Sequence, residues 1–366
     1  MKKLTPYRFL FAGGGTGGHL YPAIAVAQKI REIKPEAEIL FLGTKNKIEA
    51  RVVPANDFNF KPIWISGFSR KLNFRNLMFP VKVIVSAIQS LAISFSFKPR
   101  VAIGTGAYVS GPAVWGASIL GAKVILLEQN SYPGVTNRLL EKRAEEIHIT
   151  FEDSKKYFRN GNKLKVTGNP VRINLKLKNK EEALNGFGLI PGKPVLLVLG
   201  GSLGAGTLNS VVAEFAGKLN DKGIQIIWQT GPAYYERYKD KSGAMTRVFP
   251  FIEDMSAAFS ACDLMLARSG ATTIAEAANL GIASVFVPSP NVAANHQYMN
   301  AKSLFDENAA ELIEDKNLRN EMEERISSLM NNEARLKELR EKIQKFANKE
   351  AAEVIALRAI SLAELV

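Results

Sequence analysis

Three histidines occur in the 366 residues, and two of them stand in segments that could do chemistry. His19 closes the run from Gly13 to Gly18, which holds five glycines around Thr16. His296 and Gln297 sit in the polar segment PSPNVAANHQYMNA. A glycine run lets backbone N–H groups close on a phosphate or a sugar with no side chain in the way, and a helix that follows adds the partial positive charge of its N-terminus. Glu276, in RSGATTIAE, reads either as an early-turn acid that favours the helix dipole or as a carboxylate that accepts hydrogen bonds from a ribose diol. His148 alternates with apolar neighbours in EEIHIT and reads as structural.

The first loop alone is ambiguous. Gly13, Gly15 and Gly18 satisfy G-x-G-x-x-G, but the acid that a dinucleotide loop needs about 20 residues further on is missing. The next strand ends in Gly43 and Thr44 instead. No Gly-Lys-Ser/Thr follows the glycines, which excludes a P-loop. A turn that only permits tight packing of strand on helix stays open.

The elements that position these groups alternate. Phe9 to Ala12 reads as a buried strand, and Ile24, Val26, Ala27 and Ile30 give the following helix its apolar face. EILFLG, VAIGTG and KVILLEQN are further strands; the second runs into a glycine loop at Gly104 to Gly111, and the third ends in Glu128, Gln129 and Asn130. Polar residues at strand C-termini are where open parallel sheets bind ligands. A polar stretch follows GNPVR, so the boundary is placed after Gly168. PVLLVLGGSLGAG then restarts the plan of strand, glycine loop and helix, and IQIIWQTG, TRVFPFI, LMLARSG and ASVFVPSP continue it. The expectation is α/β: two domains, 1–168 and 169–347, each a doubly wound parallel sheet. The stretch to about Lys61 reads as polar and basic, and the chain from about Glu307 as charged and helical.

The net charge of +13 is unevenly placed: residues 1–170 hold 25 Lys and Arg against 11 Asp and Glu, and the remainder 23 against 24. A basic first half suits an anionic membrane, an anionic substrate or nucleic acid. No recognised nucleic-acid reader motif accompanies it, so no nucleic-acid partner is expected. Lys71, Arg75 and Lys82 interleave with Leu72, Phe74, Leu77, Met78 and Phe79, the pattern of a segment pressed on anionic lipid. Between Lys82 and Lys98 lie 15 uncharged residues, short of the ~20 that span a bilayer. With a single cysteine, Cys262, and no signal-peptide pattern, a cytoplasmic protein without a spanning helix is expected. No metal-binding spacing is present, and neither a metal nor a cofactor is expected.

Taken together, GGGTGGHLYPAIAVA, GTGAYVSGP, LLEQN, GNPVR, GGSLGA, FIEDM, RSGATTIAE and NHQYMNA resemble the MurG family, the bacterial cell-wall glycosyltransferases of family 28. The resemblance implies the GT-B fold, two Rossmann-like domains facing a central cleft, with a terminal helix of about 348–366 returning to the first. It implies inverting transfer of N-acetylglucosamine from UDP-N-acetylglucosamine to the C4 hydroxyl of the muramoyl sugar of lipid I, giving lipid II for peptidoglycan. Thr16, Gly17 and Gly18 would lie against the donor with His19 as base. Asn130, Arg172, Ser202, Ile252, the run Ala271, Thr272, Thr273, Ile274, Ala275 and Glu276, and His296 and Gln297 would complete the donor site. Gly14, Gly15, Gly106, Tyr108 and Ser110 would hold the acceptor diphosphate. The implied setting is the cytoplasmic face of the inner membrane, as a peripheral protein, with other cell-wall synthesis and division proteins as further partners. Two positions depart from the family pattern: Ala107 stands where a glycine is common, and Leu203 where a glutamine follows Gly-Gly-Ser.

Overall fold

The structure, a computed structural model, describes residues 7–67, 77–292 and 295–365. It divides into two compact units, residues 1–173 with 348–366, and residues 174–347. The boundary expected after Gly168 therefore lies inside the first unit, where Gly168 packs so closely on Asn348 that a Cβ would meet it at 2.4 Å.

The first unit holds seven strands: β1 (Arg8–Ala12), β2 (Glu38–Gly43), β3 (Asn59–Pro62), β4 (Val101–Gly104), β5 (Lys123–Glu128), β6 (Glu146–Ile149) and β7 (Leu164–Val166). They form one parallel sheet in the order β3-β2-β1-β4-β5-β6-β7. The strand order reverses between β1 and β4, and the register pairs Ala12 with Gly104. Both glycine loops therefore leave the sheet side by side at its switch point, the crevice where open parallel sheets bind ligands.

The second unit repeats the plan with β8 (Val195–Leu199), β9 (Gln225–Gln229), β10 (Thr246–Phe249), β11 (Leu264–Ala267), β12 (Ser284–Phe286) and β13 (Glu311–Leu312), ordered β10-β9-β8-β11-β12-β13. Leu199 pairs with Ala267, so the Gly-Gly-Ser loop and the Arg-Ser-Gly loop also emerge together.

Alternate residues of β1 serve two cores. Phe9 and Phe11 pack with Ile24, Ala27 and Ile30 of the helix Gly17–Ile33, and Leu10 and Ala12 pack with Val109 and Ala113 of the helix Ala107–Ile119. The terminal helix, Ala351–Glu364, places Ile355, Ala356, Ala359 and Ile360 in the Phe9 core. Three edge strands, β3, β7 and β13, escaped the sequence reading. β3 shows only Phe60 to the interior and ends at Pro62, and β13 is two residues long, too short for either to carry a period.

Arg358 fastens the terminal helix to β6, its Nε lying 3.0 Å from a Glu146 carboxylate oxygen. His148, buried as its pattern indicates, lies 3.2 Å from the same carboxylate. His148 and then Arg358 hold the Glu146 carboxyl down at about 2, below its ordinary 4.5. The carboxylate therefore adds stability that is present above about pH 4.5 and lost as the pH falls toward 2. Glu146→Gln should cost about 2 kcal/mol at pH 7 and shrink as the pH drops to about 3. Urea unfolding across that range measures it, and a pH-independent difference would contradict the linkage.

Candidate functional site

The loop after β1 enters the helix Gly17–Ile33 through Thr16, which holds the N-cap position in extended conformation. Gly13 has no room for a side chain, because the Thr105 hydroxyl occupies the place a Cβ would take. That hydroxyl donates to the His19 carbonyl at 2.6 Å, while the His19 ring places Nδ1 2.8 Å from the Thr105 carbonyl. The two loops are thus closed on each other through one residue pair. Gln129, at the end of β5, brings Oε1 to 3.1 Å from the same ring nitrogen. Gly106, at φ +89°, leaves the ring its seat: a Cβ there would press on Cε1 and Nδ1 at 3.2 Å.

Two buried carboxylates hold the loops from beneath. Glu49, in the helix Ile48–Ala55, accepts from the Gly15 amide at 3.0 Å, the Thr44 amide at 2.9 Å and the Thr44 hydroxyl at 2.6 Å. Glu128 accepts from the amides of Asn130 and Gly134 and from the Asn137 side chain. Neither was singled out as a site residue in the sequence; of the backbone they hold, only the Gly15 amide is distant in sequence, 34 residues from Glu49, while Thr44, Asn130 and Gly134 are local. The Gly15 amide is therefore engaged inside the protein. Ser110 is fully buried, and its hydroxyl lies against the Ala12 and Gly106 carbonyls, bracing the β4 loop. Tyr108 lies beside Gly15, and burial pushes its phenol up. The Arg172 guanidinium stacks over Tyr21 at 4.8 Å, two residues along the helix from His19. Thr16 and Gly18 are exposed and Gly17 is buried.

In the second unit, Gly270 caps the helix Ala271–Leu280, which carries Ala271, Thr272, Thr273, Ile274, Ala275 and Glu276 in its first two turns. Ala271, Thr272, Ile274 and Glu276 are buried. Ser202 is half-buried in the loop after β8, and Leu203 is 68% exposed. Gln229, another residue that sequence patterns missed, spans two loops: its amide donates to the Gly201 carbonyl at 3.3 Å and accepts from the Ile252 amide at 2.8 Å. Ile252 itself is buried. His296 and Gln297 open the helix His296–Asp306. Gln297 is tied down twice, by the Ser289 amide on its Oε1 at 2.9 Å and by the Ser269 hydroxyl on its carbonyl at 2.8 Å. Arg268 braces this wall, donating to the Val287 and Pro288 carbonyls and pairing with Asp315.

Of the basic and apolar segment, Lys71, Leu72, Phe74 and Arg75 lie outside the described residues. Leu77 and Met78 are exposed, Phe79 is half-buried, and Lys82 bonds the Ser66 hydroxyl. By length and composition alone the helix Phe79–Phe97 would suffice to cross a membrane, but its serine face is packed on its own unit. Its serines Ser86, Ser90 and Ser94 are buried, and the Ser90 backbone approaches so near Gly116 that a Cβ there would meet it at 3.0 Å. Val81, Ile84, Ile88 and Phe95 on the same helix are exposed.

Residues 9–149 match the glycosyltransferase family 28 N-terminal domain, and residues 195–355 its C-terminal domain. A UDP-N-acetylglucosamine–N-acetylmuramyl-(pentapeptide) pyrophosphoryl-undecaprenol N-acetylglucosamine transferase of Cytophaga hutchinsonii is 43% identical over 88% of this chain and 88% of its own. The protein of the same name from Flavobacterium psychrophilum is 42% identical over 86% of each. Among solved structures, Acinetobacter baumannii MurG superposes with a TM-score of 0.73 at 26% identity, covering 97% of this chain and all of that one. A UDP-GlcNAc 2-epimerase from Neisseria meningitidis shares the fold at 13% identity and a TM-score of 0.67, over 97% of this chain and 99% of its own. The fold class is therefore GT-B, with two parallel-sheet α/β units.

The two departures have different structural weight. Leu203 projects from its loop, and nothing around it explains the choice of leucine. Ala107 sits at φ +61°, the left-handed region that a Cβ disfavours. Ala107→Gly should raise stability by roughly 0.5–1 kcal/mol, the relief of strain exceeding the added unfolded-state entropy. Denaturant midpoints test this, and a destabilised variant would show that the turn carries no strain.

Proposed function

The chain belongs to glycosyltransferase family 28, and we propose that it transfers N-acetylglucosamine from UDP-N-acetylglucosamine to the C4 hydroxyl of the muramoyl sugar of lipid I, with inversion, yielding lipid II and UDP. The observation that carries this reading is the likeness at 43% and 42% identity, over most of both chains, to transferases that bear that name.

The chemistry follows from the two switch-point loops. In the second unit the Ser202 loop and the helix start at Ala271 and Thr272 receive the donor diphosphate, where backbone amides and the helix dipole offset its charge. Glu276 accepts from the ribose hydroxyls, Ile252 meets the uracil, Thr273 to Ala275 pack beneath them, and His296 and Gln297 bond the sugar. In the first unit Gly14, Gly106 and Tyr108 receive the acceptor diphosphate, with Thr16 to Gly18, Asn130 and Arg172 as further polar contacts for substrate. His19 takes the proton of the C4 hydroxyl as its oxygen bonds the anomeric carbon. The bond from that carbon to the β-phosphate oxygen breaks, and its electron pair leaves with UDP.

A lipid acceptor places the enzyme at a membrane. The exposed stripe of Leu77, Met78, Val81, Ile84, Ile88 and Phe95 lies on the basic unit and suits an interfacial helix, held along its own unit by the serine stripe. On this reading the protein sits peripherally on the cytoplasmic leaflet, and the exposed apolar stripe supports it.

His19→Ala should lower kcat/KM about 10²- to 10⁴-fold with UDP affinity unchanged, whereas Glu276→Ala should weaken UDP binding. Steady-state kinetics and calorimetry separate the two, and near-normal turnover of His19→Ala would remove His19 as the base. The double substitution Ile84→Asp with Ile88→Asp should abolish co-sedimentation with anionic vesicles while leaving UDP binding intact. Unchanged sedimentation would rule out the helix as the membrane contact.

A further inference from the structure

We propose that the Thr105 carbonyl and Gln129 lock His19 as the Nδ1–H tautomer, so that Nε2 is its basic nitrogen and Gln129 is a positioning residue for it. The Thr105 carbonyl can only accept, so its 2.8 Å contact with Nδ1 requires a proton on that nitrogen. Gln129 faces the same nitrogen with Oε1, at 3.1 Å. Its amide orientation is fixed at the other end, where Nε2 donates to the Leu127 carbonyl at 3.3 Å. Turning the amide over would set its NH₂ against the ring N–H and its oxygen against the Leu127 carbonyl. Two acceptors thus converge on one ring nitrogen.

The surroundings hold this geometry. Thr105 is fully buried and Gln129 is 2% exposed. The His19 backbone is fixed by the Thr105 hydroxyl, and Gly106 leaves the ring no side chain to displace it. The charged or titratable groups on the surrounding elements are each engaged elsewhere: Glu49 with Gly15 and Thr44, Glu128 with Asn130, Gly134 and Asn137, Tyr108 with Thr44, Arg138 over Tyr132 and Arg172 over Tyr21. The ring is therefore oriented by two neutral acceptors, where a carboxylate at position 129 would favour the imidazolium and keep it from accepting a proton near neutral pH.

The tautomer assignment stands on geometry alone; its consequence for turnover rests on the reading of His19 as the base. The test is long-range proton–nitrogen NMR of the ligand-free full chain labelled at histidine, with the three rings assigned by His19→Asn and His296→Asn. Above its titration midpoint, His19 should show a protonated Nδ1 and an unprotonated Nε2. Gln129→Glu should raise that midpoint by about 1–2 pH units, and Gln129→Leu should lower kcat more than it raises KM. A wild-type ring protonated at Nε2, or a Gln129→Glu midpoint equal to wild type in folded protein, would overturn the proposal. The expected tautomer together with normal turnover of His19→Ala would uphold the assignment and refute the base role instead.

Discussion

The double contact between Thr105 and His19 is the constraint on which the first unit's site depends. It joins two loops that the parallel register already sets side by side, and it uses the Thr105 hydroxyl and the Thr105 carbonyl on the backbone and the ring of one histidine. Gly13 and Gly106 are glycines because that pair fills the space around them. The glycines of such a loop are commonly read as making room for a phosphate. Here at least two of them make room for protein, and the Gly15 amide already has an acceptor in Glu49.

The same device recurs with other residues in the second unit. Gln229 spans the Gly201 and Ile252 loops, and Arg268 with Asp315 braces the strand end that leads to Gln297. In both units, side chains invisible to a motif hold backbone in place so that amides and a few polar groups converge at the switch point. A site built in this way presents fixed dipoles, which need little reorganisation when charge develops beside them.

Much of this was legible in the sequence. The alternation of apolar runs with glycine loops fixed two doubly wound units, and the order of eight short motifs identified the family. The Ser110 hydroxyl and the Gly15 amide look free in the sequence, which shows a hydroxyl or an amide in a loop and not which carbonyl or carboxylate already faces it. Glu49 and Gln229 were silent for the converse reason: the Gly15 amide that Glu49 holds and both loops that Gln229 spans lie far from them along the chain. β3 and β13 were too short to show a period, and the helix Phe79–Phe97 packs through three serines with Ile93 and Phe97 while Val81, Ile84, Ile88 and Phe95 point outward.

The most direct measurement is transfer of labelled N-acetylglucosamine from its UDP donor to a lipid I analogue in anionic vesicles, with UDP-glucose and UDP-galactose as competing donors. The account predicts selective transfer of N-acetylglucosamine to give a β-linked disaccharide, with release of one UDP for each sugar moved. Binding of UDP-N-acetylglucosamine with no sugar reaching the lipid, or transfer with retention at the anomeric carbon, would contradict it.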